Sequence, residues 1–129
     1  MSIVMQRRVL DERRIHPSIR EKIAKYHSAL VDEVEGAAAR HDVLVVGMRQ
    51  NVFPKRARKL LDRSGIKHHY LEYGSYLGQW QQRLALKLWA GWPTFPMIFV
   101  KGTLIGGYQD LERSMNNGEF GALLEAPRA

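Results

Sequence analysis

The side chains that most constrain this chain's chemistry are the ones it lacks, because none of its 129 residues is a cysteine. That removes disulfides, thiolate metal sites and thiol nucleophiles together. The five histidines are His16, His27, His41, His68 and His69, and none forms an H-x₃-H or HExxH pair. His68 and His69 are adjacent, so on a strand they would point to opposite faces. No metal is expected from this set. Positive charge is the larger resource, with a formal net charge of +7. Between Arg49 and Lys67, seven basic residues (Arg49, Lys55, Arg56, Arg58, Lys59, Arg63, Lys67) stand against one acid, Asp62. Such a run can hold a phosphate backbone or a small anion, but it is most commonly a solvated helix face. No interleaved aromatic signature of RNA binding accompanies it, which argues against nucleic acid as the partner.

Two further patterns concern backbone chemistry. Gly106-Gly107 precedes an expected helix. Without a Cβ the chain there admits close approach of a ligand, and first-turn amides can receive a carboxylate. Asn51 stands shortly before Pro54 and suits the N-cap of the helix that Pro54 opens.

The elements that must position these residues are legible in the periodicity. Residues 1–16 read as a loosely held arm. Pro17 and Ser18 then announce a helix, with a capping box from Ser18 to Glu21. Ile19, Ile23, Tyr26, Leu30, Val34 and Ala37 follow as one apolar stripe ending near Arg40. Val43 to Val46 reads as a strand buried on both faces, and Gly47 to Phe53 as a loop. A helix runs from Pro54 to Arg63 and stops at Ser64-Gly65. A strand over about 68–73 and a turn at Gly74-Ser75 lead to a helix over about 76–90, whose stripe is Leu77, Trp80, Leu84 and Leu88. Gly91-Trp92-Pro93 breaks it. Met97 to Val100 and Thr103 to Ile105 form a hairpin around Lys101-Gly102. Helices over about 109–116 and 119–124 close the chain.

The order α-β-α-β-α-β-β-α-α predicts an α/β sandwich with one terminal hairpin. Residues 1–41 are expected to form the N-terminal arm and amphipathic helix, and residues 42–129 the main domain. The longest apolar runs are too short to span a bilayer. Met1 to Arg14 lacks the apolar stretch of a secretory signal, so a cytoplasmic location is expected.

Three stretches, taken in order, resemble the glutaredoxin family and specifically its monothiol branch. The most specific is Trp92-Pro93-Thr94-Phe95-Pro96, followed by Ile98 to Gly102 and then Ile105-Gly106-Gly107. This is similar to the family's WPTxP, strand, turn, strand, GG sequence, with its spacing. Arg83 and Lys87 fall nine and five residues before Trp92, as the monothiol members' basic pair does. Asn51 to Ala57 occupies the place of the CGFS or CPYC active site and its helix. The resemblance covers about residues 42–125. It implies a thioredoxin-like, glutaredoxin-type mixed four-stranded sheet flanked by helices, with the N-terminal helix as an addition.

The resemblance also implies a glutathione-binding surface. Phe95-Pro96 would be a cis peptide bond, with Thr94, Phe95 and Pro96 forming a shelf for an extended peptide such as glutathione. Gly106, Gly107, Tyr108 and Gln109 would receive its γ-glutamyl end through backbone amides. Arg83 would hold the glycine carboxylate, and Phe53 would flank the site. The family's lysine before the active site falls on Met48, leaving Arg49 beside it as the substitute. After the glycines the family has Cys-Asp or Ser-Asp; here Tyr108-Gln109 follow and the acid, Asp110, comes one place later.

The decisive departure is Asn51, which aligns with the nucleophilic cysteine. Asparagine supplies no thiolate for disulfide exchange and no thiolate ligand for the iron–sulfur cluster that monothiol members hold with glutathione. No metal or iron–sulfur cluster is therefore expected. Three functions follow in order of preference. The first is a cysteine-less binding or adaptor protein for glutathione, or for a glutathionylated or extended peptide. The second is a transferase-like enzyme that activates the glutathione thiol at the Asn51 helix N-terminus. The third is a basic module for nucleic acid or an acidic partner. The N-terminal helix is a candidate surface for a protein partner or a homodimer.

Overall fold

The computed structural model describes residues 5–74 and 79–128. A 3₁₀ turn at Glu12–Arg14 precedes helices α1 (Pro17–Lys25) and α2 (Ser28–Arg40). Then come β1 (Val43–Gly47), α3 (Val52–Arg63), β2 (His69–Glu72) and α4 (Trp80–Ala90). The chain ends in β3 (Met97–Val100), β4 (Thr103–Gly106), α5 (Tyr108–Asn117) and α6 (Glu119–Glu125).

The strands make one mixed sheet in the order β2-β1-β3-β4. β1 runs parallel to β2, with Leu44 beside His69, and antiparallel to β3, with Val43 opposite Val100 and Val46 opposite Met97. β3 and β4 pair antiparallel with a bulge at Ile98/Phe99. Successive strand residues point to opposite faces, so the two central strands feed two cores. Leu44, Val46, Met97 and Phe99 pack with Val34, Ala37 and Ala38 of α2 and Leu86 of α4. Val43, Val45, Ile98 and Val100 pack with Ala57 and Leu61 of α3, Leu111 of α5 and Phe120 of α6. The mixed four-stranded sheet flanked by helices that the sequence implied is the architecture observed. Because α2 contributes to the first core, the sheet's packing extends across the expected 41/42 boundary.

Three local expectations are corrected. The single helix over 19–40 is broken at His27, which lies in the left-handed region at φ 47°. The N–H groups of Leu30 and Val31 both reach the His27 carbonyl, so α2 starts afresh there. The break divides the apolar stripe. Val34 and Ala37 are buried, whereas Ile19, Ile23 and Tyr26 stay exposed. The Ser18–Glu21 capping box does not form. His16 is the N-cap, its Nδ1 accepting from the Ser18 N–H at 3.1 Å, and Glu21 pairs with Lys25 instead.

The third correction concerns α4. Its stripe Trp80, Leu84 and Leu88 faces solvent, with Leu88 65% exposed, while Arg83, Ala85 and Leu86 are turned inward. The small Ala85 lies toward α2, lining a groove with Val31 and Glu35, while Leu86 joins the core. Ser75, Tyr76 and Leu77, expected in the turn and at the start of this helix, lie outside the described residues.

Gly47 ends β1 where the chain turns toward α3. A Cβ there would lie 2.7 Å from the Pro54 Cβ and 2.8 Å from the Tyr70 hydroxyl. Gly47→Ala is therefore expected to destabilise the fold by about 1–3 kcal/mol through overpacking. The measurement is the urea midpoint at unchanged slope, and an unshifted midpoint would show that the junction yields freely.

Candidate ligand-binding cleft

Strand polarity gathers the site. The C-terminal ends of β1 and β4 and the N-terminal end of β3 lie together at one end of the sheet, since β3 is antiparallel to both. Residues 50–53, 92–96 and 107–110 therefore converge there. They line a cleft of about 500 Å³ whose walls are the Asn51 turn, the Phe95-Pro96 segment and the start of α5. The Phe95-Pro96 bond is cis.

Asn51 joins two of these walls. Its Oδ1 accepts the Phe53 N–H at 3.0 Å, capping α3, so that helix begins at Val52 rather than at Pro54. Pro54 then falls in the first turn, where a missing N–H costs nothing. The Asn51 Nδ2 donates to the Phe95 carbonyl at 3.2 Å, across 44 residues of sequence. Both ends of this amide are thus engaged by the protein itself. One lone pair of the Phe95 carbonyl is used and the other remains.

The third wall is the Gly106-Gly107 turn. Gly106 has φ +115°, and a Cβ there would meet the Asp110 carboxylate at 2.5 Å. Asp110 accepts the Gly107 N–H at 3.0 Å and is paired with Arg113 at 2.8 Å. The next amides, those of Tyr108 and Gln109, begin α5 and have no intrahelical acceptor. They are the part of the helix N-terminus left for a ligand anion. Trp92 adds another donor. Its indole N–H is buried without an acceptor among the described residues, and it stands 3.6 Å from where a Gly107 Cβ would be. Phe53 and Tyr108 form the rim, their ring centroids 6.2 Å apart.

Of the residues singled out from sequence, Asn51, Phe53, Thr94, Phe95, Pro96, Gly107, Tyr108 and Gln109 line this cleft. Gly106 lies just behind it as the hinge of the turn. Arg49 is largely exposed, 3.8 Å from Glu72, and is outside the lining. Arg83 is drawn inward instead of standing at the cleft. It is only 7% exposed, and its Nη1 donates to the Tyr73 carbonyl at 3.3 Å. That guanidinium ties α4 to the end of β2, a placement that helical spacing alone does not reveal. Lys87, one turn further on, has its ammonium 5.8 Å from the centroid of the Phe95 ring.

The cleft also contains Gln50, Val52, Trp92 and Asp110, which sequence reasoning did not assign to it. Trp92 and Asp110 carried a signal, since both flank motifs already picked out. The seven-residue basic run between Arg49 and Lys67 divides, with Arg56, Lys59 and Arg63 together on one face of α3 beside Tyr108 and the others apart. Arg56 lies over Phe53 at 5.4 Å, Arg58 over Tyr70 at 4.1 Å, and Lys67 is at the far end of the sheet. Burial and the bond to Glu72 push the Tyr70 phenol up to about 12, and burial with the bond to Glu33 raises that of Tyr73 still further. Both phenols are neutral at physiological pH and act as donors.

The glutaredoxin family model matches residues 43–105, which hold the first and second walls and end just before the third. A glutaredoxin-like protein of Dictyostelium discoideum is 45% identical over 96 residues, covering 74% of this chain and 78% of that protein. Human glutaredoxin-3 is 31% identical over 68 residues, covering 53% of this chain but 19% of its own length. The solved structure of a buckwheat glutaredoxin–glutathione complex superposes with a TM-score of 0.65, covering 81% of this chain and 92% of that one. Sequence identity there is 19%, so the likeness is one of fold.

The double engagement of Asn51 yields a graded prediction. Asn51→Ala loses both the helix cap and the cross-cleft bond and is expected to cost about 1–3 kcal/mol. Asn51→Asp keeps the cap acceptor at a helix N-terminus and loses only the donor, so it should cost less. Denaturant unfolding of the three proteins checks the order; equal losses in the two variants would show that the cap contributes nothing, and an Asn51→Asp protein as stable as the wild type would show the same of the cross-cleft bond.

Proposed function

The chain belongs to the glutaredoxin family, and from that premise we propose that it binds glutathione, or a glutathionyl or extended peptide group, without exchanging thiols and disulfides. The observation that carries this reading is the cleft itself. Three segments distant in sequence bring peptide-like donors and acceptors to face one another, and one indole donor among them lacks a partner. A γ-glutamyl carboxylate at the Tyr108 and Gln109 amides would gain charge-assisted hydrogen bonds from the α5 N-terminus. A cysteinyl backbone running along Phe95 would use its N–H and the remaining lone pair of its carbonyl, in the manner of strand addition. With Arg83 committed to Tyr73, the glycine carboxylate falls to Lys87 or Arg49. The adaptor role follows from the same chemistry, because a held ligand meets no nucleophile where Asn51 replaces cysteine.

The transferase-like alternative is less favoured by the geometry. Asn51 already bonds Phe53 and Phe95, which leaves one Nδ2 N–H to stabilise a bound thiolate. The nucleic-acid alternative would need a long basic stripe, and although Arg56, Lys59 and Arg63 share one face of α3, Arg58 lies over Tyr70 and Lys67 is at the far end of the sheet.

Amide-resolved NMR during a glutathione titration tests the proposal. Shifts are expected at Phe95, at Gly107 to Gln109 and at the Trp92 indole; no shift at about 10 mM ligand, a standing free energy near −3 kcal/mol or weaker, overturns it. Asn51→Cys gives a second test. The new thiol would sit at the α3 N-terminus, where its pKa falls. Its thiolate should attack glutathione disulfide, forming one protein–glutathione disulfide and releasing one glutathione thiolate. Mass spectrometry reads the adduct. A thiol that reacts with small reagents yet shows no preference for glutathione disulfide would count against a glutathione shelf.

A further inference from the structure

The opposite end of the sheet carries a second concentration of polar groups. β1 and β2 are parallel, so the residues entering them, Arg40 to Asp42 and Lys67 to His69, lie side by side. Together they line a cavity of about 310 Å³. Two of its walls are imidazoles. The His41 and His69 rings are stacked face to face, centroids 4.1 Å apart and planes within 7°. Neither ring makes a hydrogen bond among the described residues, so their nitrogens stand available at the cavity.

The charges around them are not balanced. From α2 comes Arg40 and from the β2 approach Lys67, and among the described residues neither has a carboxylate within 4 Å. His68 lies 3.8 Å from Asp62. From the chain's end Arg128 donates to Asp42 at 3.0 Å, and from the β3–β4 turn Lys101 approaches the same carboxylate at 3.5 Å. Asp42, the cavity's one acid, therefore already serves two cations. The last carbonyls of α2 are likewise taken, Ala37 by the His41 N–H and Ala38 by Arg128. No three His, Asp or Glu side chains among the described residues converge as a metal's ligand set. The cavity lacks an anion's charge, not a cation's.

We propose that this cavity is a binding site for a compact multivalent phosphate-type anion, held by Arg40 and Lys67 and by imidazolium N–H groups of the His41–His69 stack. Phosphate oxygens match several separate N–H donors at once, and the site lies at the opposite end of the sheet from the glutathione cleft, so it stands or falls separately. Partial burial, then the positive charge of His69, Arg40, Lys67 and Arg128, hold His41 below the ordinary imidazole range. In the free protein its proton is therefore lost early. The unfolded chain takes that proton up first, so acidification through the imidazole range removes stability. A bound anion reverses the sign of the local potential, and the folded protein then gains a proton on binding.

The test is a titration with inorganic pyrophosphate at constant ionic strength, read on the histidine Cε1–H resonances at about pH 6 and about pH 8. Saturable shifts at His41 and His69 are expected, with affinity at the lower pH greater by about threefold or more and the His41 titration midpoint moved upward. Arg40→Gln with Lys67→Gln, both at exposed positions, should weaken binding about tenfold. His41→Phe keeps a stacked ring and should flatten the pH dependence. Sulfate should compete, and chloride at matched ionic strength should not. Absence of a saturable shift at about 20 mM pyrophosphate, reproduction of the shift by chloride, or an unchanged affinity in the double variant would each overturn the proposal.

Discussion

The antiparallel pairing of Val43–Val46 with Met97–Val100 is the constraint on which the rest of the molecule depends. Both strands are buried on both faces, so a slip of one residue would exchange the two cores and force every side chain to a neighbour of the wrong size. With that register held, the polarity of the flanking strands decides where the connections fall. β4 returns its Gly-Gly turn to the end where β1 hands over to Asn51, and β2 brings Lys67 to His69 to the other end. The protein's two candidate ligand sites follow from this pairing together with the parallel alignment of β2 on β1.

At the first end, the cleft is held together by a staple at Asn51. A cysteine at position 51 would leave the Phe95 carbonyl open and present a reactive sulfur. Asparagine caps the helix with one atom and bridges to Phe95 with another. The same economy operates at α5, where Asp110 satisfies Gly107 and leaves only the following amides facing outward. Each device uses a local polar group to satisfy backbone that a ligand would otherwise have to cover. The cleft is thereby narrowed to the contacts that remain unsatisfied, which is what gives the Trp92 indole its weight.

The N-terminal addition shows how one backbone angle redistributes apolar surface. The left-handed His27 redirects the chain between α1 and α2. As a result α2 joins the core while Ile19 and Ile23 do not. Ile23 and Tyr26 instead border a groove that also meets Leu88 of α4. The inward turn of α4 has the complementary effect, burying Arg83 against Tyr73 and turning Trp80, Leu84 and Leu88 to solvent.

Element types, their order and the two-faced burial of β1 were legible in the residues, because strand and helix periods are local properties of side-chain pattern. So were the missing thiol and the three cleft-forming motifs, whose residue types restrict what the backbone can do. Tertiary structure decided the rest. A stripe at helical spacing states that a helix has an apolar side but not that this side faces the core, and α4 turned its smaller side inward. An arginine at helical spacing has the same reach toward a ligand or a backbone carbonyl, and only packing assigned Arg83 to Tyr73. The pairing of His41 with His69 was invisible for a plainer reason. It spans 28 residues and exists only because β1 and β2 lie parallel and in register, a long-range geometry that no local pattern encodes.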